Sequence, residues 1–379
     1  MKKYIKYTVA VIIMIMLLLS SCGRAEDDNS YDVTSIYSYG YCWMEDGILI
    51  YTSGDDGLAM FYDLSSGEYM PVCAKANCLH NDSDCFAVYL YENVDIVGRI
   101  DDKWYYVASG ADGDIYSCDL DGSNEKLIGS LGHGEGWDSN TVSIFYDHYL
   151  ITATCDDEYD ETTYEWISSV SAIYRYDLDT GKAQLLCDEI DYLRPSYCLL
   201  GMIDSKIVYT EYDGEKDVLR LTDLDTGETE QPLGDTYVFN ALMKNDNVFY
   251  VLVDETGENG FYAYDLESGE NTLISYGINT SMIFWEEDIK LLCISEETDL
   301  RDDDGLVVYN VKIYSYEGSA GELMLLYESY TDESGEYFWP LCTNGDDLIG
   351  TLNGSTDVLY SVSTEDYLAG KSTWTLLGE

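Results

Sequence analysis

The sequence predicts an all-β chain, a seven-bladed β-propeller behind an N-terminal secretory signal. Three observations carry that expectation. An Asp-Leu-x-x-Gly phrase recurs along the chain, each time after an aromatic run. Tyr makes up 37 of the 379 residues, the excess expected of strands that stack aromatic rings. After Cys22 no amphipathic pattern extends for three helical turns.

The phrase appears as Asp63-Leu64-Ser65-Ser66-Gly67, Asp119-Leu120-Asp121-Gly122, Asp177-Leu178-Asp179-Thr180-Gly181, Asp223-Leu224-Asp225-Thr226-Gly227 and Asp265-Leu266-Glu267-Ser268-Gly269. Weaker copies fall at Ile313–Gly318 and Val358–Ser363. The five aspartates are spaced by 56, 58, 46 and 42 residues, so the period is about 42 with early insertions. That length suits one four-stranded blade. Asp accepts hydrogen bonds from backbone amides two residues on, and Gly supplies a positive φ. Each phrase therefore reads as the hairpin between the third and fourth strands of a blade. Seven repeats are expected at about 36–73, 87–131, 141–187, 194–234, 237–276, 281–330 and 338–379. Six or eight would also satisfy the weak last copies.

Ahead of the repeats, Lys2, Lys3 and Lys6 precede an unbroken apolar run, Thr8–Leu19, and then Ser20-Ser21-Cys22. A basic flank, a short apolar core and small residues describe a secretory signal, and the run is too short for an ordinary spanning helix. Leu19-Ser20-Ser21-Cys22 resembles the bacterial lipobox. That resemblance implies lipidation of Cys22 and removal of residues 1–21, and hence a lipid-anchored protein on the extracytoplasmic face of the cell membrane. Residues 22–35 read as a flexible tether and 36–379 as the propeller. Loss of 1–21 leaves 16 basic against 73 acidic residues, a net charge of −57 in place of −54.

The Tyr-rich Asp-Leu-Asp-Gly repeat resembles that of extracytoplasmic bacterial lipoproteins whose propellers are TolB-like or low-density-lipoprotein-receptor-like, and the Cys-rich segment 73–85 with its Cys78-x-His80 resembles segments of clostridial propeller lipoproteins. The resemblance spans about residues 36–379 and implies a fold, not an activity.

Charge narrows the partners. A chain at −54 is repelled by phosphate backbones, so nucleic acid is not an expected ligand. The 46% hydrophobic content supports a large core rather than a disordered chain.

One insertion, 73–87, stands apart: Cys73, Cys78, His80 and Cys85 bring three cysteines and one of only three histidines into thirteen residues. Three thiolates and an imidazole suit a structural zinc. The spacing is not a common finger spacing, and two other readings stay open. One is a disulfide on the cell exterior, with Cys42 or Cys118 as partner to the odd cysteine. The other is free, packed thiols. Cys155, Cys187, Cys198, Cys293 and Cys342 are spread singly and read as small buried hydrophobes.

Acidic runs at 156–161, 286–288, 296–297 and 299–304 match no calcium loop and read as solvated. Of seven tryptophans, Trp104 and Trp374 read as core, while Trp137 and Trp166 are the candidate ligand contacts. No nucleophile elbow, P-loop or His-Glu-x-x-His motif is present, and no catalytic residue is assigned. The functional expectation is a membrane-anchored lipoprotein whose propeller binds an unknown protein, peptide or glycan. Loops at 73–87, 132–140, 155–168 and 297–307 would line the binding face. The alternatives are an extracellular glycan- or peptide-active hydrolase or lyase, and a non-catalytic scaffold of an envelope complex.

Overall fold

The computed structural model describes residues 33–378 apart from 39–40, 53–56, 76, 82–83, 110–112, 132–141, 160–165, 188–189, 193–196, 254–258, 277–279, 287–288, 302–306, 317–322, 331–336, 353–357 and 372. The chain is an all-β propeller. Five antiparallel four-stranded sheets span 94–130, 197–230, 239–276, 280–330 and 338–376. The remaining strands, in 33–71 and 143–192, form one ten-stranded sheet. Seven separate blades are therefore not what forms; five sheets stand alone. The reason is the N-terminal strand Val33–Ser38. It pairs antiparallel with Tyr41–Met44 on one edge and with Ser143–Tyr146 on the other, and so laces two four-stranded meanders together.

Hydrophobic clusters follow the chain around a ring. Leu49 and Phe86 pack with Trp104 and Tyr106, joining the first meander to the next. Further clusters join each group of strands to its successor, through Phe145 with Ile96, Ile207 with Ile151, and Val248 with Leu219. Phe249 with Leu292, and Phe338 with Phe284, continue the series. The last cluster packs Ile349 and Leu359 on Ile48, Ile50 and Tyr62, so the C-terminal sheet returns to the first meander. Asn344 Nδ2 donates to Tyr62 Oη at 2.8 Å across that closure.

The tyrosine excess has a structural use. Tyr106 stands opposite Tyr116, and Tyr250 opposite Tyr262, on paired strands; both pairs stack with centroids 5.5 Å apart. The fully buried phenols keep hydrogen-bond partners, as burial of an O–H demands. Tyr176 donates to the Leu131 carbonyl at 3.2 Å, and Tyr250 accepts from Asn271 Nδ2 at 2.8 Å.

Each intact Asp-Leu-x-x-Gly copy forms the expected turn. Asp223 Oδ1 accepts from the amides of Asp225 and Thr226 at 3.0 and 2.8 Å, and Gly227 closes the turn at φ +71°. The Leu has a double role. The Leu224 amide donates 2.8 Å to the Ser205 carbonyl in the adjacent hairpin, while its side chain is buried. Leu64, Leu178 and Leu266 make the same link to Asp46, His148 and Asp246. Of the weak copies, Glu317 and Gly318 lie outside the described residues, and after Tyr360–Ser363 a one-turn helix, Thr364–Leu368, replaces the turn.

The strands of the first meander alternate in direction. The turns at 45–46 and 63–67 therefore share one end, and the strand ends at Tyr51, Ala59 and Pro71 share the other.

These features fix the pH response. The Ser205 hydroxyl and the turn amides hold Asp223 down at about 2, so its stabilising bonds are present above the unfolded value near 4 and are lost as pH falls. Burial pushes the thiols of Cys42 and Cys118 up to about 12. Their contribution is complete below the unfolded value near 9 and is lost as pH rises toward 12. Urea unfolding midpoints are expected to be flat from about pH 5 to 8 and to fall on both sides.

Candidate metal centre

The cysteine insertion leaves the first meander after strand Tyr69–Pro71, at the end away from the Asp turns. The chain folds back on itself within a few residues. The Cys73 amide donates to the Pro71 carbonyl at 2.7 Å, and the Cys78 amide to Lys75 O at 3.2 Å. Asn77 and His80 take positive φ, 62° and 53°, a region that Asn and His enter more readily than most residues. The Lys75 ammonium donates to the Asp84 carbonyl and straps the two limbs of the loop.

The loop ends on a helix, α1 (Phe86–Asn93). Cys85 is its extended N-cap residue. Sequence pattern alone did not reveal α1. Phe86-Ala-Val-Tyr-Leu-Tyr is rich in strand-forming side chains, and eight residues are too few to show a helical period. Tertiary packing decides it. Phe86, Ala87, Val88 and Leu90 are buried, and Tyr89 meets Tyr106 edge-on at 5.9 Å.

This geometry brings Cys73, Cys78, His80 and Cys85 together. Their ligand atoms all lie within 4.8 Å of one another, and His80 Nδ1 is 3.3 Å from Cys85 Sγ. The four ligands of a tetrahedral zinc stand about 3.3–3.8 Å apart, a separation that the His80–Cys85 pair already has. The donor set fits a closed, four-coordinate site. Cys85 is buried while Cys73 and Cys78 are half-exposed. Burial pushes the Cys85 thiol up to about 11; the amides of Val88 and Ala87 pull it down, and the sulfurs of Cys78 and Cys73 push it further up. The metal-free cluster therefore holds its proton on Cys85 at neutral pH, and a metal must displace it.

Cys42 and Cys118 sit in the core beside Trp104 rather than at the loop, and no disulfide forms among the described cysteines. Cys187 and Cys293 are buried as small hydrophobes, and Cys198 and Cys342 are half-buried. Trp104 is core, and Trp374 is half-buried on Phe338. Trp166 begins strand Trp166–Asp177, opposite Tyr159 at the tip of its hairpin. Cys22, Trp137 and the loop 132–140 lie outside the described residues.

A second cluster escaped the sequence reading. His148 stands with Asp177 and Asp179, their ligand atoms within 4.8 Å. Asp177 Oδ1 already accepts two turn amides there, as in the other copies, so this is the same turn with a histidine beside it.

No protein-family model matches the chain, and no curated protein matches it. Solved structures do. TolB from Acinetobacter baumannii is 15% identical with a TM-score of 0.36, covering 92% of this chain and 79% of its own. An oligogalacturonate lyase in complex with manganese is 14% identical with a TM-score of 0.49, covering 87% and 90%. A putative 6-phosphogluconolactonase from Bacteroides uniformis is 11% identical with a TM-score of 0.47, covering 88% and 95%. At these identities and scores none of them bears on what this chain does.

The helix is keyed to the second blade through Gly122. A Cβ there would stand 2.6–2.9 Å from Phe86 atoms, and φ is +77°. Gly227 has a similar φ, +71°, and nothing within 4 Å. Gly227→Ala is expected to cost about 1 kcal/mol, and Gly122→Ala about 1–3 kcal/mol more, in denaturant melts.

Proposed function

We propose that this chain is a lipid-anchored extracytoplasmic propeller, a binding module in which Cys73, Cys78, His80 and Cys85 hold a structural zinc. In this reading the ten-stranded sheet counts as two blades laced through residues 33–38, and Cys22 carries the lipid. One observation supports the zinc above all: four metal-type ligands, scattered over thirteen residues of sequence, converge within 4.8 Å. The cluster sits on the loop that enters α1, and α1 packs on the interface between the first meander and the 94–130 sheet. A bound metal would therefore brace both a blade interface and the exposed tip at Leu79, which is 80% accessible. The loop shares its end of the first meander with the strand ends at Tyr51 and Ala59, and that end is the recognition face. A braced loop loses less freedom on binding than a free one.

Metal analysis of the purified full chain is expected to find about one zinc per molecule, with release of up to about three protons on loading at pH 7. Cys78→Ser is expected to lose most of the metal and lower the melting temperature, whereas a zinc-free wild type would dismiss the metal. Glycan and peptide arrays then test recognition; hits that vanish on chelation tie it to the braced loop, and a blank array ends the binding-module reading. The anchor is tested separately. Cys22→Ala is expected to release the protein from the membrane fraction, and unchanged retention would refute lipidation.

A further inference from the structure

A second group of side chains meets on the ring's axis. Lys244 is the last residue of strand Phe239–Lys244, and its ammonium stands 4.7 Å from the centre of the Trp43 ring in strand Tyr41–Met44. Those strands belong to sheets that share no hydrophobic cluster in the ring, so their side chains meet across it. Tyr41 lies beside Trp43, with ring centroids 5.4 Å apart. Glu286 follows strand Thr280–Trp285, and Cys342 belongs to strand Phe338–Asn344. Asn245 Nδ2 donates to the Trp285 carbonyl at 2.7 Å, which pins the end carrying Lys244 to the end carrying Glu286. Glu286 and Lys244 sense each other's charge, and Cys342 senses Glu286. Yet among the described residues no ion pair joins Lys244 to Glu286.

All five of these side chains are half-buried. Burial draws the Lys244 pKa down and pushes the Glu286 pKa up, so both charges are held short of solvent. The result is an aromatic wall with one ammonium against it and one carboxyl beside it, the two charges making no ion pair with each other among the described residues. Such convergence of a few polar groups on an apolar surface is the form of a small-molecule site.

We propose that this axial cluster binds a small zwitterion, a free α-amino acid. Its carboxylate would meet Lys244, its ammonium Glu286, and its side chain the rings of Trp43 and Tyr41. The charge balance selects the class. A simple anion would leave Glu286 unpaired and would be opposed by a chain of net charge −54. A simple cation would leave Lys244 unpaired. A zwitterion supplies both counter-charges and adds none, and an unpaired buried charge is the costly alternative. The inference rests on the binding-module reading and adds to it a second site, at the turn end of the strands rather than at the cysteine-loop face.

Calorimetric titration of the full chain in mild detergent decides it, with glycine, L-leucine and L-phenylalanine as probes and acetate and ethylamine as half-ligands. The amino acids are expected to saturate at millimolar concentration or below and the half-ligands not to. Lys244→Met and Glu286→Gln are each expected to weaken binding at least about tenfold while the melting temperature stays near wild type. If Lys244→Met fails to fold, the conservative Glu286→Gln carries the comparison. Absence of saturation by all three amino acids, or binding unchanged in the variants, overturns the proposal. Array hits that persist in both variants would leave the binding module standing without this site, whereas a blank array removes the module itself.

Discussion

Everything in this fold depends on the requirement that each sheet bury both of its faces. Side chains alternate along a strand, so one strand feeds two clusters. Ile48 and Ile50 pack toward Ile349 and Leu359, while Leu49 between them packs toward Trp104. Phe249 and Val251 face one neighbour, and Val248 and Tyr250 face the other. A sheet built this way leaves an apolar face in water unless it has neighbours on both sides. The ring is the arrangement that gives every member two; packing of side chains closes it, and the Tyr62–Asn344 hydrogen bond spans the closure.

The N-terminal strand meets a different need. Where Val33–Ser38 runs along strand Val94–Ile100, the buried Ser35 hydroxyl donates to the Arg99 carbonyl and accepts from the Arg99 amide, each at 2.7 Å. One side chain thus satisfies both backbone groups of a residue on the strand it crosses. With its own edges paired to two other strands, the segment exposes no free strand edge to the axis.

The two ends of the first meander have different chemistry. One carries the Asp63 turn, whose carboxylate accepts the amides of Ser65 and Ser66, and Asp46, which pairs with Arg99. The other carries the cysteine cluster and α1, where Phe86 and Tyr89 turn a polar loop into part of a blade interface. Lys244 is exceptional because it places a cation on the axis of a strongly acidic protein, held against Trp43 rather than in a salt bridge.

Local chemistry was legible in the sequence. The Asp-Leu-x-x-Gly turns, the Tyr pairs and the all-β class depend on residues a few positions apart or on opposite sides of one hairpin. The four ligands of the cysteine loop were legible too, because they fall within thirteen residues. The register of Val33–Ser38 was not, since pairing with both 41–44 and 143–146 depends on which strand edges the closed ring brings near it. Nor was α1, whose strand-like side chains are helical where Phe86, Ala87, Val88 and Leu90 are buried and Phe86 sits against Gly122. Lys244 and Trp43 lie 201 positions apart and meet only because the ring closes. Neighbouring residues set the repeating unit and its turns, whereas which units fused and what met at the axis followed from ring closure, because those contacts join residues that no local pattern relates.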